Sequence, residues 1–169
     1  MKKFWLLIVL VGMIGVVSAQ QSETLVKVGE TVPDFKVQMF DGKNVDIRDY
    51  KGKVVLLNFW ATWCSPCRQE LARVQKEIID RFKGKDFVFL PVSREDSYDK
   101  IAAFRKQTGH TFPMGMDPDR KIYSKFATAS IPRNFLIGRN GKIIFMEEGY
   151  SEESFAKLIK EIEHALAVH

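Results

Sequence analysis

The chain has 169 residues, 46% of them hydrophobic and 12% aromatic, with a formal net charge of +5. That size and apolar content suit one domain with its own core, and basic residues scattered along the chain exclude the clustered footprint of a nucleic-acid binder. Cys64 and Cys67 are the only cysteines, which excludes a multiply cross-linked scaffold and a four-thiolate metal cage.

The first residues have the three parts of a secretory leader: Lys2 and Lys3, an apolar run from Phe4 to Val17, and Val17-Ser18-Ala19 ahead of polar Gln20-Gln21-Ser22-Glu23. Cleavage is expected after Ala19, giving a signal peptide over 1–19, a linker over 20–27 and a domain over 28–169. The apolar run falls short of the roughly 18 to 20 residues that span a bilayer, and a retained leader would anchor the same domain on the same side. No cysteine follows the run to carry a lipid. The expected location is therefore exported and periplasmic, where thiol pairs are oxidised unless reductant is supplied.

Phe35 to Met39 alternates as a strand does, and Asp41-Gly42 turns it into Val45-Asp46-Ile47, an N-terminal hairpin. Val54 to Phe59 is nearly continuous in apolar residues, the pattern of a central strand covered on both faces. The cysteines follow at once. From Pro66 to Phe82, Leu71, Val74, Ile78, Ile79 and Phe82 recur at helical spacing and Gly84 lies just beyond, so Cys67 sits in the first turn of a helix. Phe87 to Val92 reads as a second buried strand, and Ile101, Ala102 and Phe104 mark a helix that Gly109 stops. A strand, helix and strand in that order imply parallel pairing. Phe112 to Met116 suggests a short strand, and Pro118-Asp119 opens a helix carrying Ile122, Tyr123 and Phe126. Asn134 to Ile137 is a strand that Asn140-Gly141 folds back antiparallel against Ile143 to Met146. Ser151 caps a last helix with Glu152 and Glu153 in its first turn and a stripe of Phe155, Leu158, Ile159, Ile162 and Leu166.

Two thiols one helical turn apart, directly after an apolar strand, form a dithiol/disulfide redox site. The ring they close is too small to staple a fold, and no second ligand pair completes a zinc site. Haem attachment would need histidine after Cys67, where Arg68 stands. At a helix start, Cys64 has unpaired amides and the positive end of the dipole to stabilise its thiolate, which makes it the nucleophile. Cys67, more buried, is the resolving thiol that attacks the mixed disulfide and closes the Cys64–Cys67 bond. Ser65 and Pro66 shape the loop, proline being suited to a position whose amide would have no helical partner. His110, His164 and His169 are scattered without ligand spacing, so no metal or cofactor is assigned.

The strand Val54 to Phe59, the loop Trp60-Ala61-Thr62-Trp63-Cys64-Ser65-Pro66-Cys67, and the later Ile131-Pro132 and Asn140-Gly141 together resemble the thioredoxin superfamily over about Val28 to Ala167. The leader, the N-terminal hairpin and the segment between Ser93 and Phe126 look like its TlpA/ResA-like exported thiol-disulfide oxidoreductases, related to the redoxin and AhpC/TSA branch. The resemblance implies an α/β fold, a three-layer α/β/α sandwich whose central mixed sheet carries an N-terminal hairpin. It also implies an exposed dithiol at a strand-to-helix junction, with a cis proline opposite that would be Pro132. By the same resemblance Trp60 and Trp63 shield the thiols and offer substrates an apolar surface, and Ile131-Pro132 presents backbone groups to an extended substrate.

Three positions depart from the wider pattern. Arg133 replaces the small or hydroxylated residue common there; aimed at Cys64 it would favour the thiolate, and aimed at solvent it would do little. Asn58 stands where thioredoxins proper carry a buried aspartate that relays the resolving thiol's proton. ResA-like members are expected to use a glutamate after the next strand, and Glu95, with Asp96 beside it, is the candidate, set against a plain solvated charge. Ala61 stands where a peroxiredoxin needs threonine. The expectation is an exported, monomeric oxidoreductase that exchanges its Cys64–Cys67 pair with protein disulfides as a reductase, fed by a membrane-borne thiol donor. The motif leaves open a disulfide-donating oxidant, a thiol peroxidase and, from another class, a polypeptide-binding module with incidental redox chemistry.

Overall fold

The computed structural model describes residues 23–168. Its strands are β1 (Lys36–Met39), β2 (Asn44–Asp46), β3 (Val54–Trp60), β4 (Phe87–Arg94), β5 (Gly115–Asp117), β6 (Arg133–Ile137) and β7 (Ile143–Glu148). The α-helices are α1 (Ser65–Val74), α2 (Tyr98–Thr108) and α3 (Glu152–Ala167). The strands make one seven-stranded sheet in the order β2-β1-β5-β4-β3-β6-β7. β3, β4 and β5 pair in parallel, whereas β1 and β2 at one edge and β6 and β7 at the other are antiparallel to their neighbours.

Every residue of β3 is buried, as an apolar run covered on both faces requires. Because side chains alternate along a strand, Val54, Leu56 and Trp60 join Leu71, Val74, Phe155 and Ile159 in one core beneath α1 and α3. Val55, Leu57 and Phe59 face the other way into a second core with Tyr123, Phe126 and Phe135. The parity matters at the site: Asn58 and Asn134, paired across β3 and β6, point to the α1 side, and Arg133 points to the opposite side.

The N-terminal hairpin, the parallel β3–β4 unit, the β6–β7 hairpin through Asn140-Gly141 and the Ser151-capped last helix all form as the sequence predicts. Gly109 closes α2 with φ of 74°, its amide donating to Arg105 at 2.9 Å, a left-handed cap that glycine adopts without steric cost.

Three local readings need correction. The helix expected through Phe82 changes its hydrogen bonding at Gln75 and runs to Asp80 as a π-helix, with Ile78 still buried. The helix expected after Pro118 is reduced to a 3₁₀ turn, Tyr123–Lys125. Arg120 adopts a φ of 59°, which interrupts a helix, and the Asp117 carboxylate accepts from the Ile122 and Tyr123 amides at 3.0 and 2.7 Å, offering them an alternative partner. The strand expected over Phe112 to Met116 is limited to Gly115–Asp117.

The segment expected as linker is docked from Glu23 onward. Thr24 bridges to Ala127, the Leu25 amide donates to the Phe126 carbonyl at 2.8 Å, and Val26 is buried. The leader lies outside the described residues, and among those described no helix is long and apolar enough to cross a membrane.

Candidate active site

β3 delivers the chain to the site and α1 begins there. Cys64 is the N-cap of α1: its sulfur accepts from the Cys67 amide at 3.2 Å, and Pro66 occupies the first turn, where a missing amide hydrogen costs nothing. Cys64 and Cys67 are joined as a disulfide with Cα atoms 5.3 Å apart. Both are buried, Cys64 at 5% exposure and Cys67 completely, so the dithiol is less open than the resemblance implies. The Ile131–Pro132 peptide is cis, and the Ile131 carbonyl oxygen lies 3.6 Å from the Cys64 sulfur. A reduced Cys64 can donate its S–H to that oxygen; an extended substrate chain can compete for the same backbone.

The approach to Cys64 is held by Asp96. This carboxylate has no exposed surface and accepts from the Thr62 amide at 2.7 Å, the Thr62 hydroxyl at 2.8 Å and the Ser93 hydroxyl at 2.6 Å. It ties the end of β4 to the turn that precedes the dithiol. A buried carboxylate with three donors is well satisfied and therefore rigid.

Beneath α1 lies a carboxyl group that the sequence reading overlooked. Glu70 follows Cys67 by three residues, which puts the two side chains on one face of the helix with Cβ atoms about 5 to 6 Å apart. It is only 2% exposed. The Asn134 amide donates to it at 2.7 Å, and the Asn58 amide donates to it at 3.5 Å and to the Asn134 oxygen at 2.9 Å. Burial raises the Glu70 pKa to about 7, against the opposing pull of the Asn134 and Asn58 hydrogen bonds. Such a group can accept a proton from a neighbouring thiol near neutral pH and return it. The sequence did hold a sign of this: Glu70 falls on the apolar stripe of Cys67, Leu71, Val74 and Ile78, where a charge is out of place.

Residues 28–146 match the AhpC/TSA family. The chain belongs to that family. Within it the relatives are thiol-disulfide oxidoreductases. ResA of Bacillus thuringiensis subsp. konkukian, so described, is 30% identical over 161 residues, 93% of this chain and 92% of its own. Among solved structures, a Bacteroides thetaiotaomicron protein provisionally named a protein disulfide isomerase is 40% identical with a TM-score of 0.82, over 87% of this chain and 95% of that one. The exposed lipoprotein thioredoxin of Streptococcus pneumoniae is 31% identical with a TM-score of 0.62, over 76% of this chain and 99% of that one. The fold is thus thioredoxin-like, and the protein is a thiol-disulfide oxidoreductase of the ResA-like kind.

In this AhpC/TSA member the remaining predicted site residues fall in three places. Trp63 stands 55% exposed beside the dithiol, with the Arg94 guanidinium 5.7 Å from its ring, so it offers an apolar surface. Trp60 does not: it is fully buried, its ring 5.0 Å from that of Phe104, because its parity on β3 turns it into the core. Ser65 opens α1, Pro132 is buried, and Ile131 is partly buried against both cores.

Glu95 and Arg133 are corrected. Glu95 has a φ of 63°, and its half-exposed carboxylate pairs with Arg94 at 3.4 Å and Arg120 at 3.8 Å. Its left-handed turn aims Asp96 inward and leaves Glu95 among surface arginines. Arg133 is neither solvated nor aimed at Cys64. It is 2% exposed and engages Glu23, Thr24, Glu148 and the carbonyls of Ala129 and Ser130 on the far face of the sheet.

Proposed function

We propose that this oxidoreductase works on the exported side of a membrane as a disulfide reductase, with Cys64 as attacking thiolate, Cys67 as resolving thiol and Glu70 as the base that serves it. The observation that carries this reading is the buried Glu70 carboxyl, with its pKa near 7 and one helical turn from Cys67. The Cys64 thiolate attacks a substrate disulfide, forms a mixed disulfide and expels the first substrate thiolate. Cys67 passes its proton to Glu70 and attacks the Cys64 sulfur, which closes the Cys64–Cys67 bond and expels the second substrate thiolate. Two electrons pass from the dithiol to the substrate, and the proton on Glu70 is available to the leaving thiolate.

What surrounds the sulfurs supports this direction. A disulfide donor is made strongly oxidising by stabilising its reduced thiolate. The Cys67 amide donates to Cys64 and favours its thiolate, but the buried acid Glu70 lies close by and disfavours a thiolate when ionised, and Arg133 faces away instead of adding a positive charge. Such surroundings support a reducing couple. Substrates would be protein disulfides approaching along Trp63 and the Ile131-Pro132 backbone, and a membrane-borne thiol donor would restore the dithiol. The leader over 1–19 supports export.

The test is the reduction potential of the Cys64–Cys67 couple, measured against glutathione or dithiothreitol with thiols trapped and counted. A value near or below about −250 mV supports the reductase, and one near about −120 mV would make the protein a disulfide donor. Rapid thiol loss to hydrogen peroxide would favour a peroxidase instead.

A further inference from the structure

We infer that Arg133 is a positioning residue for substrate: together with Glu23, Thr24 and Tyr123 it clamps the loop over residues 129–132, so that the Ile131 backbone is held in place for an extended polypeptide. This rests on the reading of Cys64 and Ile131-Pro132 as the exchange site.

The loop is held from one side by buried donors. The Arg133 Nε donates to the Ala129 carbonyl at 2.9 Å and to the Ser130 carbonyl at 3.2 Å. The Tyr123 hydroxyl, itself in the core, is shared between the same two carbonyls at 2.5 and 2.6 Å. Ser130 has a φ of 68°, a left-handed conformation that is strained for a residue other than glycine and persists only where its surroundings over-determine it. The turn at Ser130 sets the direction of the next residue, Ile131, whose carbonyl oxygen is the one 3.6 Å from the Cys64 sulfur.

The rest of the guanidinium reaches the N-terminal segment. Nη1 donates to the Thr24 hydroxyl at 2.6 Å, and Nη2 meets Glu23 at 3.3 Å and Glu148 at 2.9 Å. Glu23 also accepts from the Ser130 hydroxyl at 2.7 Å through its side chain and from the Thr128 amide at 2.8 Å through its carbonyl. One planar group with five N–H donors thus joins the first described residues, the end of β7 and the loop opposite the dithiol. A lysine presents a single point of attachment and cannot span these partners.

The experiment uses the full mature chain with an extended disulfide peptide as substrate and dithiothreitol to restore the Cys64–Cys67 dithiol after each turnover, the uncatalysed rate being subtracted. In Arg133→Met, KM for the peptide rises about fivefold while kcat changes less than twofold, because the loss falls on substrate placement. The equilibrium constant of the Cys64–Cys67 couple with glutathione moves less than twofold, since Arg133 lies on the other face of the sheet. Arg133→Lys keeps the charge and does not restore KM. Glu23→Gln, at a half-exposed side chain, and Tyr123→Phe raise KM about twofold each. These variants decide the matter if Arg133→Met fails to fold. An unchanged KM in both, or a loss carried by kcat or by the glutathione equilibrium, overturns the inference. A wild-type chain that turns over no disulfide peptide overturns the exchange reading beneath it.

Discussion

On one face of β6, Asn134 donates to a buried carboxyl, Glu70; on the other, its neighbour Arg133 is a buried guanidinium braced by two carboxylates, Glu23 and Glu148. Both ionisable groups are 2% exposed, yet their surroundings differ in kind. Glu70 is met by the neutral amides of Asn58 and Asn134, so burial dominates and its proton is retained up to about pH 7. Arg133 is met by opposite charges and by carbonyls, so it is placed to brace backbone. A buried charge without a counterion is suited to proton transfer, and one with counterions to architecture.

The largest expected effect lies on the Glu70 face. Cys64→Ser should abolish disulfide turnover, and Cys67→Ser should accumulate the mixed disulfide with Cys64, seen as a substrate adduct in the intact mass. Full function in Cys64→Ser would instead favour a polypeptide-binding module and remove the chemical half of the contrast.

Next in size is the stability of the Arg133 face. Arg133→Met takes one donor from the carbonyls of Ala129 and Ser130, which keep the Tyr123 hydroxyl, and leaves two half-exposed carboxylates to solvent, and should lower the unfolding free energy by roughly 3 kcal/mol. A denaturant titration at pH 7 checks this, and a loss under about 1 kcal/mol would show that these contacts do not brace the loop.

Glu70 should contribute a stability that depends on pH. Its folded pKa, about 7, lies above the ordinary value of 4.5, so its contribution is fully present below about pH 4.5 and is lost as the pH rises through 7. The total is roughly 3 kcal/mol. Glu70→Gln should flatten that slope and be the more stable protein at pH 9, yet resolve mixed disulfides more slowly and without the wild-type rise in rate around pH 7. An unaltered pH–rate profile would deny Glu70 its proton role. The smallest change in stability is expected for Trp63→Ala, within about 0.5 kcal/mol, with a raised KM for peptide disulfides from the lost apolar surface; a KM that stays put would remove Trp63 from the substrate path.

Much of this was legible in the chain. Local chemistry specified β3 through its nearly continuous apolar run, the start of α1 through Pro66 and a stripe that runs on to Phe82 past the end of the α-helix at Val74, the β6–β7 turn through Asn140-Gly141, and α3 through Ser151. Each depends on residues within a few positions of one another, whose propensities and periodicity agree. The dithiol was equally local, because the spacing of Cys64 and Cys67 alone puts both sulfurs at one helix end.

What needed the tertiary structure is the partner of each buried polar group, since partners come from distant segments. Glu70 meets Asn134 across 64 positions, and Arg133 meets Glu23 across 110. Strand parity decided that Trp60 is core and that Arg133 turns away from the sulfurs, and a left-handed turn at Glu95 decided that Asp96 points inward instead. The sequence by itself determined which atoms can exchange electrons, because that chemistry resides in two thiols and a helix start. Which carboxyl lies buried beside them, and which donors meet the opposing backbone, was decided by burial and long-range pairing, which set the local dielectric and exist only once the sheet has closed.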